Sequence, residues 1–419
     1  MPGSRAIISQ IRSPWWGIQR WPMMRRRLHS GHSSSLTMTQ FWAAAGRQRL
    51  LKTSHTRALL VGGKRNCRSI HIPTILLPPV VFTGLLVGLW IWKCIMMVVF
   101  QNKIIYMPGL PPTSRRERIA DWASMCGDVR WIEERTVAED GTELALAVTT
   151  VPLPEKRRPA AGAPDKPAPI HVYVLYFQGN ASSIPPRLPD LSWVLRAVSD
   201  SKTHVLAPGK LTFVCLSYRG YWTSRGRPSE PGLRLDAEAG VRWIAERHER
   251  AFGNTGIEPT EPILLVWGQS IGSGVATNLA ATGRVPAKMP IRGLLLETPF
   301  VSIRAMLETL YPQKWLPYKY LWPFLRNHLD SWGNLGLIAQ VSKEKRLPGP
   351  MVYILEAERD ELVPKEQSER LYRRCVDLGL TVEKGTVPVA YHQQAIARGD
   401  GKKLAAQAIL KLAQNANRS

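Results

Sequence analysis

The sequence predicts an α/β chain: a mostly parallel sheet with helices on both faces, preceded by an N-terminal transmembrane helix. Three observations carry this. From residue 170 onward, short apolar and β-branched runs alternate with amphipathic stretches, the pattern of a sheet buried on both faces. Leu264–Gly274 reads as a strand, a sharp Gly-x-Ser-x-Gly turn and then a helix. Ile75–Phe100 is an apolar run of 26 residues whose only charge is Lys93.

The N-terminal part explains the charge balance. The chain has 419 residues, 56 Lys and Arg against 32 Asp and Glu, and a net charge of +24. The first acid is Glu117, so residues 1–116 hold 17 basic side chains and contribute +17, leaving +7 for the rest. The excess therefore belongs to a leader, which argues against nucleic acid as the partner of the main domain. A hydrophobic content of 44% and 15 tryptophans exclude collagen-like and wholly disordered chains. Residues 1–71 carry nine serines and no acid, with Arg25, Arg26 and Arg27 among tryptophans. Mitochondrial presequences have this composition; a basic cytosolic or matrix tail is the alternative.

Residues 72–101 follow as the expected span. As a helix, Ile75–Phe100 reaches about 39 Å, enough for a hydrocarbon core of roughly 30 Å with tilt. Thirteen basic residues precede it, so the positive-inside bias puts the N-terminus in the cytosol or matrix and the main domain opposite. A mitochondrial membrane is favoured over the endoplasmic reticulum: Asn180-Ala181-Ser182 is a glycosylation sequon in a loop that the chemistry below requires. Five scattered cysteines without a Cys-x-x-Cys pair indicate neither a disulfide framework nor a zinc site.

The main domain, residues 102–415, opens with two strands, Val129–Thr136 and Glu143–Val151, joined through the turn pair Asp140-Gly141. Residues 152–169 hold six prolines and form a surface loop. Strands are then expected at Ile170–Phe177, Leu211–Leu216, Ile263–Trp267, Ile291–Leu296, Met351–Leu355 and Thr381–Pro388. Helices are expected at Leu191–Val198, Glu230–Arg247, Ile271–Ala281, Lys365–Leu378 and Lys402–Ala413. One stretch breaks the alternation. About 300–345 lies between two strands and holds seven aromatics from Tyr311 to Trp332, interrupted by prolines. It suits short helices capping an apolar cleft, with ordinary core packing as the alternative.

The Gly-x-Ser-x-Gly segment carries the chemistry. Gly268-Gln269-Ser270-Ile271-Gly272 follows a strand and opens a helix. The turn crowds its neighbours, so glycines stand on both sides, and the helix start offers amides to a developing oxyanion. A serine needs a base held by a third group. Of nine histidines only His392 lies beyond Met351–Leu355, in a loop after the last strand. For the acid, Asp360 is the best placed carboxylate of Glu356–Glu361, far enough past a strand end to turn back over the sheet; Glu358 is the reserve.

These residues resemble the α/β-hydrolase superfamily. The nearest branch is similar to the membrane-anchored eukaryotic proteins grouped as α/β-hydrolase domain proteins twelve, thirteen and seventeen, often placed with serine aminopeptidases and lysophospholipases. Phe177-Gln178-Gly179-Asn180-Ala181, Ser217-Tyr218-Arg219-Gly220-Tyr221, Gly268–Gly272, Asp360 and His392 carry the likeness, which runs from about Phe100 to Ala413. The resemblance implies an α/β-hydrolase fold, Ser270 as nucleophile, His392 as base and then acid, and Asp360 as its orienter. It also implies an oxyanion hole from the backbone amides of Asn180 and Ile271, with no cofactor and no metal. Gln178 stands where the family commonly has His, and Trp222 where Gly is common, which suggests a bulkier rim near the site. The expected function is a membrane-anchored serine hydrolase acting on acyl esters or thioesters: lysophospholipid, monoacylglycerol or S-acyl protein. A serine aminopeptidase-like peptidase and a non-catalytic membrane scaffold are the alternatives.

Overall fold

The computed structural model describes residues 73–154, 170–201, 209–252 and 262–418; the basic leader and most of the proline-rich loop lie outside these. The described chain starts with α1 (Leu77–Val99), which extends a short 3-10 turn at Thr74–Leu76 and has Pro78 and Pro79 in its first turn, where missing amides cost least. Thr74–Val99 is long and apolar enough to cross a membrane, with a mean hydropathy of 2.1. α2 (Gln101–Tyr106) follows and ends on Met107 in the left-handed conformation.

Eight strands make one sheet: β1 (Ile132–Val137), β2 (Glu143–Pro152), β3 (Ile170–Phe177), β4 (Gly209–Leu216), β5 (Ile263–Gln269), β6 (Ile291–Glu297), β7 (Met351–Ala357) and β8 (Val382–Val387). The order is β1-β2-β4-β3-β5-β6-β7-β8, with β2 antiparallel to both neighbours and every pair from β4 to β8 parallel. Crossovers are made by α3 (Leu188–Ser199), α4 (Glu230–Phe252), α5 (Ile271–Thr282), α6 (Ile303–Leu310) with α7 (Ser331–Lys345), and α8 (Lys365–Leu378); α9 (Gly399–Ala416) closes the chain.

Alternation along the strands divides the interior in two. Tyr173, Leu175 and Phe177 of β3 face a core shared with α4, α5, α7 and α8. Val172, Val174 and Tyr176 face a second core with α3 and α9. This is why the parallel strands read as continuous apolar runs. The segment expected to be a cap is less uniform. α7 packs on α5, and its Leu335, Ile338 and Ala339 belong to the first core, as does Ile303 of α6, so only the 3-10 helix Tyr318–Phe324 adds no residue to either core.

Candidate active site

Four functional candidates follow the carboxyl ends of four parallel strands, the edge where open α/β sheets gather their sites. Asn180 lies beyond β3, Ser270 beyond β5, Asp360 beyond β7 and His392 beyond β8. Ser270 caps α5 with φ 52° and ψ −116°, a conformation L-residues seldom adopt and one that surrounding structure must hold. Its amide donates to the Glu297 carbonyl at 2.8 Å, and Ser273 Oγ donates to the Gly268 carbonyl at 2.7 Å, clamping the turn from both sides. The flanking glycines are obligatory. A Cβ on Gly268 would stand 2.5 Å from Ser273 N, and one on Gly272 would stand 2.8 Å from the Gln178 oxygen and nearer still to that of Phe177.

The turn lifts Ser270 Oγ to 2.9 Å from His392 Nε2. The other ring nitrogen, Nδ1, is 2.8 Å from Asp360 Oδ2 and 3.0 Å from Oδ1. Asp360 is held in turn by two backbone donors, Leu362 N at 3.0 Å and Val363 N at 2.8 Å, both on Oδ1. His392 N donates to Glu361 at 2.9 Å, which fixes the loop carrying the imidazole. Glu358, the reserve acid, turns elsewhere and accepts from Val389 N at 2.6 Å. Ser270 and His392 are both buried, at 8% and 3% exposure, so a charge forming between them is little screened by water.

Two backbone amides are candidate oxyanion donors. Ile271 is the first residue of α5, so its N–H is one of those a helix leaves unpaired. In the β3 loop, Gly179 N donates to Gln269 Oε1 at 3.3 Å and Ala181 N donates to the Tyr106 carbonyl at 3.0 Å. Between them, the Asn180 amide has no acceptor among the described residues. Two strained residues, Ala181 (φ 58°) and Ser182 (φ 61°), bend this loop over the sheet. No group of three His, Cys, Asp or Glu able to hold a metal ion occurs among the described residues.

No family model matches the chain. Among curated proteins it is similar to bem46 of Schizosaccharomyces pombe, 30% identical over 202 residues, 48% of this chain and 56% of that protein. The α/β hydrolase domain-containing protein WAV2 of Arabidopsis thaliana is 27% identical over 289 residues, 67% and 77% of the two chains. The lysophosphatidylserine lipase ABHD12 of Macaca fascicularis is 32% identical over 210 residues, 50% and 46%. The chain has the α/β-hydrolase fold and resembles the ABHD12-like branch of that superfamily. It spans about half the length of bem46 and of the ABHD12 lipase. A crystal structure of an α/β hydrolase from Vibrio vulnificus aligns with this chain at a TM-score of 0.48, with 17% identity, over 75% of this chain and 92% of that one.

Within this α/β-hydrolase fold, several supporting residues carried little sequence signal. Glu297, fully buried at the end of β6, accepts from Arg187 Nη2 at 3.3 Å and from Trp267 Nε1 at 3.0 Å. Burial raises its carboxyl pKa against the opposing pull of Arg187. Arg187 also donates to the Gln393 carbonyl at 3.3 Å, so one ion pair ties the strand whose backbone holds Ser270 to the loop bearing His392. A charge ending the run Leu294-Leu295-Leu296-Glu297 was the only hint of it. Gln269, noted merely as a member of the turn, braces the β3 loop by accepting from Tyr176 Oη at 3.2 Å as well as from Gly179.

The two departures from the family pattern resolve differently. Gln178 keeps the backbone donors: its carbonyl accepts from Tyr218 Oη at 3.0 Å and its Nε2 donates to the Ala181 carbonyl at 3.3 Å. Trp222 makes no rim. It is fully buried in the second core, with Nε1 donating to the Glu117 carbonyl at 2.7 Å, so the expectation of a bulky side chain beside the site is corrected. An indole fills a packing space there, and its N–H finds a partner as buried tryptophans require.

Proposed function

We propose that the chain is a membrane-anchored serine hydrolase that cleaves acyl esters of lipids. The observation that carries this is the unbroken hydrogen-bonded series Asp360–His392–Ser270 beside a strained serine turn. Ser270 Oγ attacks the acyl carbonyl as His392 Nε2 takes its proton, and the amides of Asn180 and Ile271 receive the oxyanion. The intermediate collapses, the alcohol leaves with the proton from His392, and the acyl group stays on Ser270 as an ester. Water, deprotonated by the same imidazole, attacks that ester; collapse releases the fatty acid and returns the proton to Ser270. Asp360 holds the ring with Nδ1 as donor and stabilises the imidazolium.

Two further observations favour a lipid substrate. Thr74–Val99 would anchor the domain at a bilayer, and a lysophospholipid lipase is among the relatives. A lysophospholipid or monoacylglycerol therefore fits better than an aminoacyl amide. Fluorophosphonate should label the wild type and not Ser270→Ala, and turnover of a lysophospholipid should fall on the order of 10⁶-fold in that variant. Turnover retained by Ser270→Ala would remove the reading. The acid-free leader is assigned to address, with the domain on the side opposite the N-terminus. Protease protection in fractionated membranes would refute that topology if the hydrolase domain were cut from the cytosolic side.

A further inference from the structure

The aromatic segment after α6 presents a face that the site does not use. Trp315 is 76% exposed, Tyr320 57% and Phe324 59%. A cluster of this kind is costly in water and marks a contact surface. Its position relative to α1 is fixed by five interactions. Lys93 Nζ lies 5.2 Å over the Tyr318 ring. Arg326 Nη2 donates to the Val98 and Val99 carbonyls at 3.1 and 3.2 Å. Gln101 Nε2 donates to the Phe324 carbonyl at 3.1 Å, and Arg326 N donates to Gln101 Oε1 at 2.7 Å. The segment from Tyr318 to Arg326 thus runs beside the chain from Lys93 to Gln101, the end of α1 and the start of α2, about 12 Å at 1.5 Å per residue. Between them is an apolar groove lined by Met97, Val98, Ile104, Leu307, Leu321 and Phe324. From Thr309 to Leu329 the chain has Lys314, Lys319 and Arg326 and no acid.

We propose that this segment, Tyr311–Arg326, is a second membrane-contact surface, seated in the headgroup region of the bilayer that α1 crosses. The inference rests on reading α1 as a span. Given that reading, contacts from Lys93 to Gln101 put the 3-10 helix at the depth where the span leaves the hydrocarbon. Tryptophan and tyrosine are favoured there, because each has an apolar body and a polar tip. The three cations and the lack of acids match anionic headgroups. The groove, walled on one side by the span itself, lies at the same depth.

The test uses the full chain in vesicles of phosphatidylcholine with a minor share of phosphatidylserine and a diazirine-bearing lipid, with labelled peptides located by mass spectrometry. Label is expected on the span and on Trp315–Arg326, with α8 as the unlabelled control. Label on the span alone overturns this proposal and leaves the anchor standing; label on neither overturns the anchor reading itself. A cap free of lipid label and crosslinked to a second copy of the chain also overturns it. Separately, Trp315→Ser with Tyr320→Ser should lower turnover of a vesicle-embedded ester about tenfold and leave a water-soluble short-chain ester unaffected. Equal rates with the wild type on both substrates, or equal losses on both, count against the surface.

Discussion

Replacing Gly272 with alanine tests the site's geometry without touching a reacting group. The new Cβ would stand 2.8 Å from both the Gln178 oxygen and the Phe177 carbonyl carbon, where ordinary contact begins at 3.4 Å. These obstacles and the still nearer Phe177 carbonyl oxygen are backbone, so none can rotate away; α5 and the end of β3 must separate by more than about 0.6 Å, the difference between those distances. That separation acts across the two proposed oxyanion donors, since Ile271 rides on α5 and Asn180 on the loop. Donors work only within about 2.7–3.1 Å of the oxyanion, so one of them falls out of range. The expected loss in kcat is about 10²-fold, the scale of a misplacement approaching 1 Å or of one lost donor. The assay is steady-state hydrolysis of a chromogenic short-chain ester, with thermal unfolding measured in parallel to show that the variant is folded. A folded Gly272→Ala protein within threefold of the wild-type rate would refute the argument, because the loop and helix would then be free to part without consequence.

Asp360→Asn should cost about 10⁴ in kcat. Its carboxamide oxygen will take the Oδ1 place against Leu362 N and Val363 N, which turns the NH₂ toward His392 Nδ1 and forces the wrong tautomer; a pH–rate profile with the wild-type plateau rate would contradict this. Glu358→Gln should keep at least half of the wild-type rate, since its side chain holds Val389 N and not the imidazole; rate loss rivalling that of Asp360→Asn would reassign the acid. Arg187→Met should destabilise the fold by about 3–5 kcal/mol by stranding the buried Glu297 carboxylate, and adding Glu297→Leu should restore most of it. Denaturant titration showing a loss below 1 kcal/mol for the single variant would argue against a charged Glu297. His171 and His248 face each other and are both held below the ordinary imidazole pKa, first by burial. The folded state therefore resists protons that the unfolded chain accepts, so stability should fall as pH drops below about 6.5, and His248→Gln should shrink that fall; an identical pH dependence of Tm in the variant would contradict it.

Much of the sheet was legible because parallel strands buried on both faces leave unbroken apolar runs; β3 matches its expected bounds, and most others agree to within two residues. β1 starts later than its apolar pattern suggested. Val129 and Trp131 are buried in the second core, and the Trp131 indole donates to Ser192 Oγ at 2.8 Å, so these side chains pack before the ladder begins at Ile132. Ser270 and His392 could be singled out by motif and by elimination, because their positions follow from chain order. Arg187 and Glu297 could not, since their partnership joins residues 110 apart in sequence with no periodic spacing. The aromatic segment stayed ambiguous between cap and core for a different reason. Core packing and an exposed apolar face use the same residue types, and only the exposure of Trp315 and Phe324 tells them apart.

The carbonyl of Tyr106 accepts from both Ala181 N and the Tyr221 hydroxyl, and that of Leu110 accepts from Ser182 N. Both acceptors belong to the segment linking the apolar helix to the sheet. Left-handed backbone costs an L-residue roughly 1–2 kcal/mol, and here two such residues in succession are held by that link. A fragment begun after Leu110 to obtain a water-soluble domain would discard both acceptors and let the loop beside Ser270 relax. The stalk is thus part of the mould in which the site is cast, and fusing the domain to a different tether that omits residues 101–110 would give a protein that folds around its sheet while the Asn180 loop goes unset.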